Sequence, residues 1–313
     1  PNTGINYAET VKEAARWLEA HGVVDPAPSA AELLAKAAGY RSPQDMSSKL
    51  ASLAMTPAEW NEMRRLCGLR AAQHVPVQYL VGEWDFYGLS LEMQPPTLIP
   101  RPETEELVDR ILQWIRQEGI ATANTGAAFL DVGSGTGVIG LTLLNELPEA
   151  RCVAIDAQPA AVRLSRRNAE RTGLQPRYSC FHEKIADFGG GGAFDGSFEF
   201  IVSNPPYIPR IDMEALPPDV ADHEDSVALD GGEDGLDVVR DIVRRCPRLL
   251  RRGGPRELWM EVNTSHPEAM QRWLGLVVGG GAVQECATHG VTRFEWMSDM
   301  SQRPRFVRLT FAE

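Results

Sequence analysis

The sequence predicts an α/β fold: a small all-helical N-terminal domain followed by a doubly wound, mostly parallel sheet. Three observations carry this. Beyond Gly126, short apolar runs alternate with helical segments, as a parallel sheet covered on both faces requires. A glycine-dense turn, Gly133-Ser134-Gly135-Thr136-Gly137, joins the first of those runs to the next helix. The first 75 residues carry helical periodicity and capping signals.

In order, Tyr7, Val11, Ala14, Ala15 and Leu18 recur on one helical face. Ser29-Ala30-Ala31-Glu32 and Thr56-Pro57-Ala58-Glu59 have capping-box spacing, the second with Pro at the first helical position. Residues 1–75 are thus expected to form a helical domain, with packing or substrate docking as its role. From Val77 to Leu91, alternation and Gly punctuation predict a β-hairpin, and 76–97 is taken as the connector. Residues 98–313 form the third part. It opens with Leu98-Ile99-Pro100-Arg101-Pro102-Glu103-Thr104-Glu105 and a helix whose first-turn acids suit its dipole. Strands are expected at 128–132, 151–156, 178–182, 198–203 and 257–262, and helices at 137–146, 159–171, 236–250 and 267–274. The tail, Phe294 to Phe311, reads as two strands around Ser301-Gln302-Arg303-Pro304.

Composition narrows the function. A chain of 313 residues with 43% hydrophobic content can hold one large domain and a small one. A net charge of -12 argues against a long polyanion as main partner, so no direct nucleic-acid contact is expected. Five cysteines without a C-x-x-C pair fit a reducing compartment and speak against structural zinc. Five of the six histidines, His74, His182, His223, His266 and His289, show no metal spacing, and no metal site is expected. No apolar run approaches the roughly 18 residues of a membrane span. The sequence starts at Pro1 and shows no targeting peptide.

Two strand exits carry the chemistry. Phe129-Leu130-Asp131-Val132 leads into the glycine turn, which brings backbone close to a ligand at a helix N-terminus. Asp156 ends the next strand, where a carboxylate can take both hydroxyls of a ribose. Gly135-x-Gly137-x-x-Gly140 spells a dinucleotide fingerprint, but its first glycine should follow the strand directly, and from Gly133 the spacing fails. Asp131 would also face a pyrophosphate. S-adenosylmethionine, with ribose, adenine, ammonium and sulfonium, fits Asp131, Gly133, Ser134, Gly135, Thr136, Gly137 and Asp156 better. At the second exit, Ser203-Asn204-Pro205-Pro206-Tyr207 offers an amide, stiff outward carbonyls and an aromatic face. That combination suits a planar group bearing an NH2. Asn204, Pro205 and Tyr207 are the candidate catalytic residues, with Pro206 completing the substrate pocket and Asn204 bordering the donor.

At these residues the chain resembles the release-factor glutamine methyltransferases, the HemK family. The resemblance runs through Pro76-Val77-Gln78-Tyr79-Leu80-Val81-Gly82, Ile99-Pro100-Arg101-Pro102-Glu103-Thr104-Glu105, Asp131 to Gly137 and Ser203 to Ile208, then Ala228 to Gly235. Glu261-Val262 before His266-Pro267-Glu268 looks like the mitochondrial members, which implies an organelle matrix, or the cytoplasm in a bacterial source. The family implies a Rossmann-like class I S-adenosylmethionine-dependent methyltransferase sheet. It implies methylation of the side-chain amide of the glutamine in the Gly-Gly-Gln motif of a class 1 peptide-chain release factor. A monomer is expected. A donor contact after the third strand falls on Glu183 and Lys184, where the family more often has Asp and a bulky residue. A glycine usual before Arg-Pro-Arg in the tail is Gln302 here.

Three other readings compete. An N6-adenine methyltransferase acting on DNA or RNA shares Asn-Pro-Pro-Tyr, but would usually carry a basic track. Here the densest arginines, Arg244, Arg245, Arg248, Arg251 and Arg252, follow one helix and its exit, as a solvated face does. A donor-binding scaffold without catalysis conflicts with intact Asn204 and Asp156. A dehydrogenase would need nicotinamide binding. Asp222, Glu224, Asp225 and Asp230 form an acidic loop that either shapes substrate entry or, the favoured reading, is simply solvated.

Overall fold

A computed structural model of the chain describes residues 6–47, 54–118 and 128–313. The chain divides into two compact units. The first runs to Trp84 and takes in Met93–Pro95 and Pro217–Glu224; the second holds Asp85–Glu92, Pro96–Leu216 and Asp225–Glu313.

The first unit contains α1 (Tyr7–Ala20), α2 (Pro26–Ala37), α3 (Pro43–Met46), α4 (Pro57–Ala72) and α5 (Val77–Val81). Tyr7, Leu18, Leu33, Leu34, Met63 and Leu66 are buried in its core. The Thr56 capping box forms, with Thr56 Oγ1 accepting the Glu59 N–H and Glu59 accepting the Thr56 N–H. Asn6 and Glu9 close a second box on α1. Ser29 does not cap. Helix α2 starts earlier, at Pro26, behind Asp25 at φ 54°, so Ser29 lies one turn inside and is buried. Pro already has the helical φ at the first position, which moves the start upstream of the capping signal.

The run from Val77 to Leu91 also divides. Val77–Val81 is helical, and only β1 (Glu83–Phe86) and β2 (Leu89–Glu92) make the two-stranded sheet. Gly82, at φ 85°, donates its N–H to Gln78 O and ends the helix as a left-handed cap. That glycine punctuates a helix, not a strand turn.

In the second unit α6 (Pro102–Glu118) precedes β3 (Ala128–Val132), α7 (Val138–Glu146), β4 (Arg151–Asp156), α8 (Pro159–Arg171), β5 (Tyr178–His182) and β6 (Phe198–Ser203). The expected start of the alternation at Gly126 lies outside the described residues. The short helix α9 (Pro218–Ala221) belongs to the first unit, where its Asp219 lies 3.4 Å from Arg70 and His223 Nε2 is 2.7 Å from Gln73 O. The second unit resumes with α10 (Asp237–Leu249), β7 (Glu257–Glu261), α11 (His266–Leu274), β8 (Val283–Glu285), β9 (Val291–Ser298) and β10 (Pro304–Phe311).

The eight strands lie in the order β5-β4-β3-β6-β7-β10-β9-β8. The first five in chain order, β3 to β7, pair in parallel, while β10 inserts antiparallel between β7 and β9. The chain leaves β3 toward β4 on one side and reaches β6 on the other. The C-terminal ends of β3 and β6 therefore meet at a topological switch point, where open sheets bind ligands. Leu236, Val239, Ile242, Val243 and Cys246 of the α10 stretch pack with Leu130, Ile201 and Leu258 in the core beneath it.

Glycine decides one close contact. A Cβ on Gly140 in α7 would stand 2.9 Å from both Asp131 Oδ2 and Cys152 Sγ and 3.1 Å from Tyr178 Cε2. Helix α7 can lie this close to β3, β4 and β5 only without a side chain there. Gly140→Ala is expected to lose about 2 kcal/mol or more despite alanine's better helix propensity. A urea unfolding midpoint at or above the parent's would refute this. At the other extreme of the chain, Gln302 takes φ 61°, so the tail turn keeps the conformation natural to glycine with a non-glycine residue in it. Among the described residues, no helix is long and apolar enough to cross a membrane.

Candidate active site

The site grows from three adjacent strand exits. After β3 the chain turns through Gly133, Gly135 and Gly137 at φ 76°, 54° and 88°, a left-handed path that side chains resist. Gly133 and Ser134 donate their N–H groups to Ile155 O at 2.9 and 3.1 Å, which ties the turn to the end of β4. Asp156 holds it from the other side. Its Oδ2 accepts the Gly135 N–H at 2.9 Å and its Oδ1 the Gln158 N–H at 2.8 Å. After β6, Asn204 lies alongside, and a Cβ on Gly133 would be 3.7 Å from the Asn204 carbonyl oxygen.

Between these exits is a cavity of about 330 Å³. Gly133, Gly135, Asp156, Glu183, Lys184, Asn204, Pro205 and Pro206 line it, so eight of the sequence-predicted residues come together. The others sit elsewhere. Ser134 and Thr136 are buried, with Ser134 Oγ 3.4 Å from Cys180 Sγ and Thr136 O accepting from Asn168 Nδ2. Gly137 is the N-cap of α7.

Asp131 does not line the cavity. Strand side chains alternate between faces, and Asp131 lies fully buried under α7, its Oδ2 accepting the Gly140 N–H at 3.1 Å. Burial pushes its carboxyl up to about 7 against that hydrogen bond. Tyr207 also stands outside the cavity lining. The following residue, Ile208, exchanges backbone hydrogen bonds with Leu229 and Gly231, and the Tyr207 phenol lies in the field of Glu261, Arg305 and Arg101. Burial raises its pKa.

Several further residues line the cavity. Pro96, Thr97 and Leu98 form one wall, and Asp225, Val227 and Asp230 another. The acidic loop is therefore only partly a solvated feature. Asp225 N–H bonds to Pro96 O at 2.7 Å and Ile208 bridges to Asp230, which folds Asp225 and Asp230 back onto the strand exits. No period or spacing could have shown this, because it is long-range closure. Asp230 is held charged by the Gly232 N–H and Arg210, which lower its pKa.

Asn204 is itself held. Its Nδ2 donates to Thr104 Oγ1 at 3.3 Å, and Thr104 Oγ1 donates to Glu261 Oε2 at 2.7 Å. The flanking acids of α6 act differently: Glu105 accepts the Tyr87 N–H at 2.9 Å, and Glu103 pairs with Arg303 at 2.9 Å.

The donor set suits a cation with a ribose. Asp156, Glu183, Asp225, Asp230 and Asp241 line the cavity against one lysine, Lys184. Burial raises the Asp156 pKa while two N–H donors lower it, as for a carboxylate half-shielded from water that retains lone pairs for a diol. Gly133 and Gly135 leave room for a ligand backbone to approach. An ammonium, a sulfonium and a ribose match this chemistry; a pyrophosphate does not.

Four of the five clustered arginines are engaged within the chain. Arg244 pairs with Asp241, Arg248 with Asp195 and Arg251 with Glu199, while Arg245 donates to Ala186 O. Among the described residues, no group of three or more His, Cys, Asp or Glu could hold a metal ion.

Comparison with known proteins agrees with this geometry. Residues 9–82 match the family model "PrmC N-terminal domain", and residues 117–215 match "Methyltransferase small domain". The chain is 39% identical over 277 residues to the human MTRF1L release factor glutamine methyltransferase, covering 88% of this chain and 81% of that protein. It is 37% identical over 251 residues to a release factor glutamine methyltransferase of Agrobacterium fabrum, covering 77% of this chain and 80% of that one. A Moorella thermoacetica protein of the same description is 34% identical over 268 residues, covering 85% and 89%.

Proposed function

This chain belongs to the release factor glutamine methyltransferase family, and from that premise we propose that it methylates the Gly-Gly-Gln glutamine of a class 1 peptide-chain release factor on its side-chain amide nitrogen. The methyl donor is S-adenosylmethionine, which when bound supplies an electrophilic methyl group. One observation carries the reading: the Asn204-Pro205 exit of β6 and the Gly133–Asp156 cradle of β3 and β4 open into a single cavity. Asp156 would hold the ribose hydroxyls, Gly133 and Gly135 would let the backbone close on the ligand, and Glu183 and Lys184 line the same cavity.

An amide nitrogen is a poor nucleophile because its lone pair is delocalised into the carbonyl. Asn204 Oδ1 and the Pro205 carbonyl accept its two N–H bonds, which fixes the amide plane and favours positive charge as it develops on nitrogen. Pro205 and Pro206 stiffen the backbone that carries the Pro205 carbonyl, so little reorganisation is needed there. No protein nucleophile takes part. Tyr207, outside the cavity lining, is assigned to the support of this wall.

Offered separately with labelled donor, a release factor is expected to take label while DNA and RNA do not. Label in nucleic acid alone would overturn the reading. The paired arginines of α10 and its exit support that expectation. A monomer is taken as the working species, measurable by sedimentation. Residues 1–75 are assigned to docking the release factor. The likeness of Glu261-Val262 and His266-Pro267-Glu268 to mitochondrial members supports an organelle matrix as the compartment.

A further inference from the structure

Asn204 can serve the reaction only one way round. Its amide oxygen and nitrogen are nearly isosteric, and a half-turn about the last bond would aim an NH2 at the substrate NH2 instead of an acceptor. Something must hold the amide. The structure provides a chain of two hydrogen bonds from elements far apart in sequence, Thr104 in the first turn of α6 and Glu261 at the end of β7.

The direction of these bonds follows from their chemistry. A carboxylate only accepts, so the Thr104 hydroxyl proton is committed to Glu261 Oε2 at 2.7 Å. Thr104 Oγ1 then has only lone pairs left for Asn204. It can receive Nδ2, as it does at 3.3 Å, and it cannot receive Oδ1. Thr104 is 2% exposed and Glu261 1%, so water does not compete for either group. We propose that Thr104 and Glu261 are positioning residues that lock the Asn204 amide with Oδ1 toward the substrate nitrogen, provided that Glu261 is ionised. The inference rests on the reading of Asn204 given above and adds the device that sets its orientation.

The lock has a pH dependence of defined sign. Facing Glu261 are Thr104 and Glu103 from the first turn of α6, Arg101 just before it, Arg305 from β10 and the Tyr207 phenol. Burial pushes the Glu261 carboxyl up to about 7, against the Thr104 hydrogen bond and the two arginines. Once protonated, Glu261 can donate to Thr104 Oγ1, which frees the Thr104 proton for Asn204 Oδ1. The amide can then turn over. Activity is therefore lost as pH falls through the Glu261 pKa and is full above it.

The test uses Thr104→Val, Thr104→Ser, Glu261→Gln and Asn204→Ala in the full chain, with calorimetric donor binding to report folding and release-factor methylation to report turnover. Thr104→Val and Glu261→Gln are each expected to lower kcat about tenfold above neutral pH, with donor affinity held within about twofold. Thr104→Ser, which keeps the hydroxyl, is expected to recover most of the loss. The acid limb of kcat, present in the parent, is expected to flatten in Glu261→Gln and Thr104→Val. Parental kcat and an unchanged acid limb in Thr104→Val, with donor still bound, would overturn the proposal. So would Thr104→Ser as impaired as Thr104→Val. Should Glu261→Gln fail to bind donor, the two Thr104 variants and the parental pH profile still decide. Asn204→Ala separates the two levels. If it keeps parental turnover, the reading of Asn204 itself falls; if it loses turnover while Thr104→Val does not, only the positioning inference falls.

Discussion

Replacing Asn204 with alanine is expected to lower kcat by about 100- to about 1000-fold, the usual effect of deleting one preorganised group that meets developing charge. The substitution removes Oδ1 from the wall of the cavity and leaves the backbone carbonyl beside Gly133 in place. Donor affinity is expected to stay within a few-fold, because Gly133, Gly135 and Asp156 are untouched. Stability should change little. Asn204 is only half-buried, and the one side-chain hydrogen bond lost is the long one to Thr104. Single-turnover methylation of a release factor with saturating donor isolates the chemical step. A variant that turns over at the parental rate with donor bound would remove Asn204 from the mechanism.

The second large effect belongs to Asp156. Asp156→Ala is expected to weaken donor binding by about 10- to about 100-fold, through two losses that act together. One is the acceptor for the ribose hydroxyls. The other is structural, since Asp156 holds Gly135 N–H at 2.9 Å and Gln158 N–H at 2.8 Å and so shapes the glycine turn. Asp156→Asn keeps an acceptor and should fall between the parent and Asp156→Ala. Burial raises the Asp156 pKa, so donor affinity should decline on the acid side as the carboxylate gains its proton, and Asp156→Asn should lose that dependence. Calorimetry with S-adenosylmethionine across pH reads both. An Asp156→Ala variant that binds donor as tightly as the parent would separate this carboxylate from the ribose.

What could be read from the sequence was local or periodic. Strands β3, β4, β5 and β6 match their expected ranges, and β7 ends one residue early, because buried apolar runs of this length between turns have few alternatives. The glycine turn and Asp156 were legible for the same reason: strand, turn and helix follow one another directly. Val77–Val81 was not, since a single turn of helix and half a hairpin share an apolar run, and Gly82 punctuates either. Strand β8 is three residues with a largely exposed pattern, which leaves no alternation to detect.

Asp131 shows a finer limit. Its place at the end of β3 was visible, but its face depends on which neighbours cover the strand, and α7 covers it through Gly140. The lock on Asn204 lay beyond any pattern. Thr104 and Glu261 are 157 residues apart, and the segment around Thr104 drew notice for its flanking acids. Those acids are engaged elsewhere, Glu103 with Arg303 and Glu105 with the Tyr87 N–H.

The central claim is that this cavity methylates a glutamine side chain. Intact mass spectrometry of a class 1 release factor and its Gly-Gly-Gln→Gly-Gly-Ala variant, each incubated with enzyme and S-adenosylmethionine, tests it most directly. A gain of one methyl group is expected on the parent factor and none on the variant. An equal gain on both, or none on either while DNA or RNA becomes methylated, would contradict it.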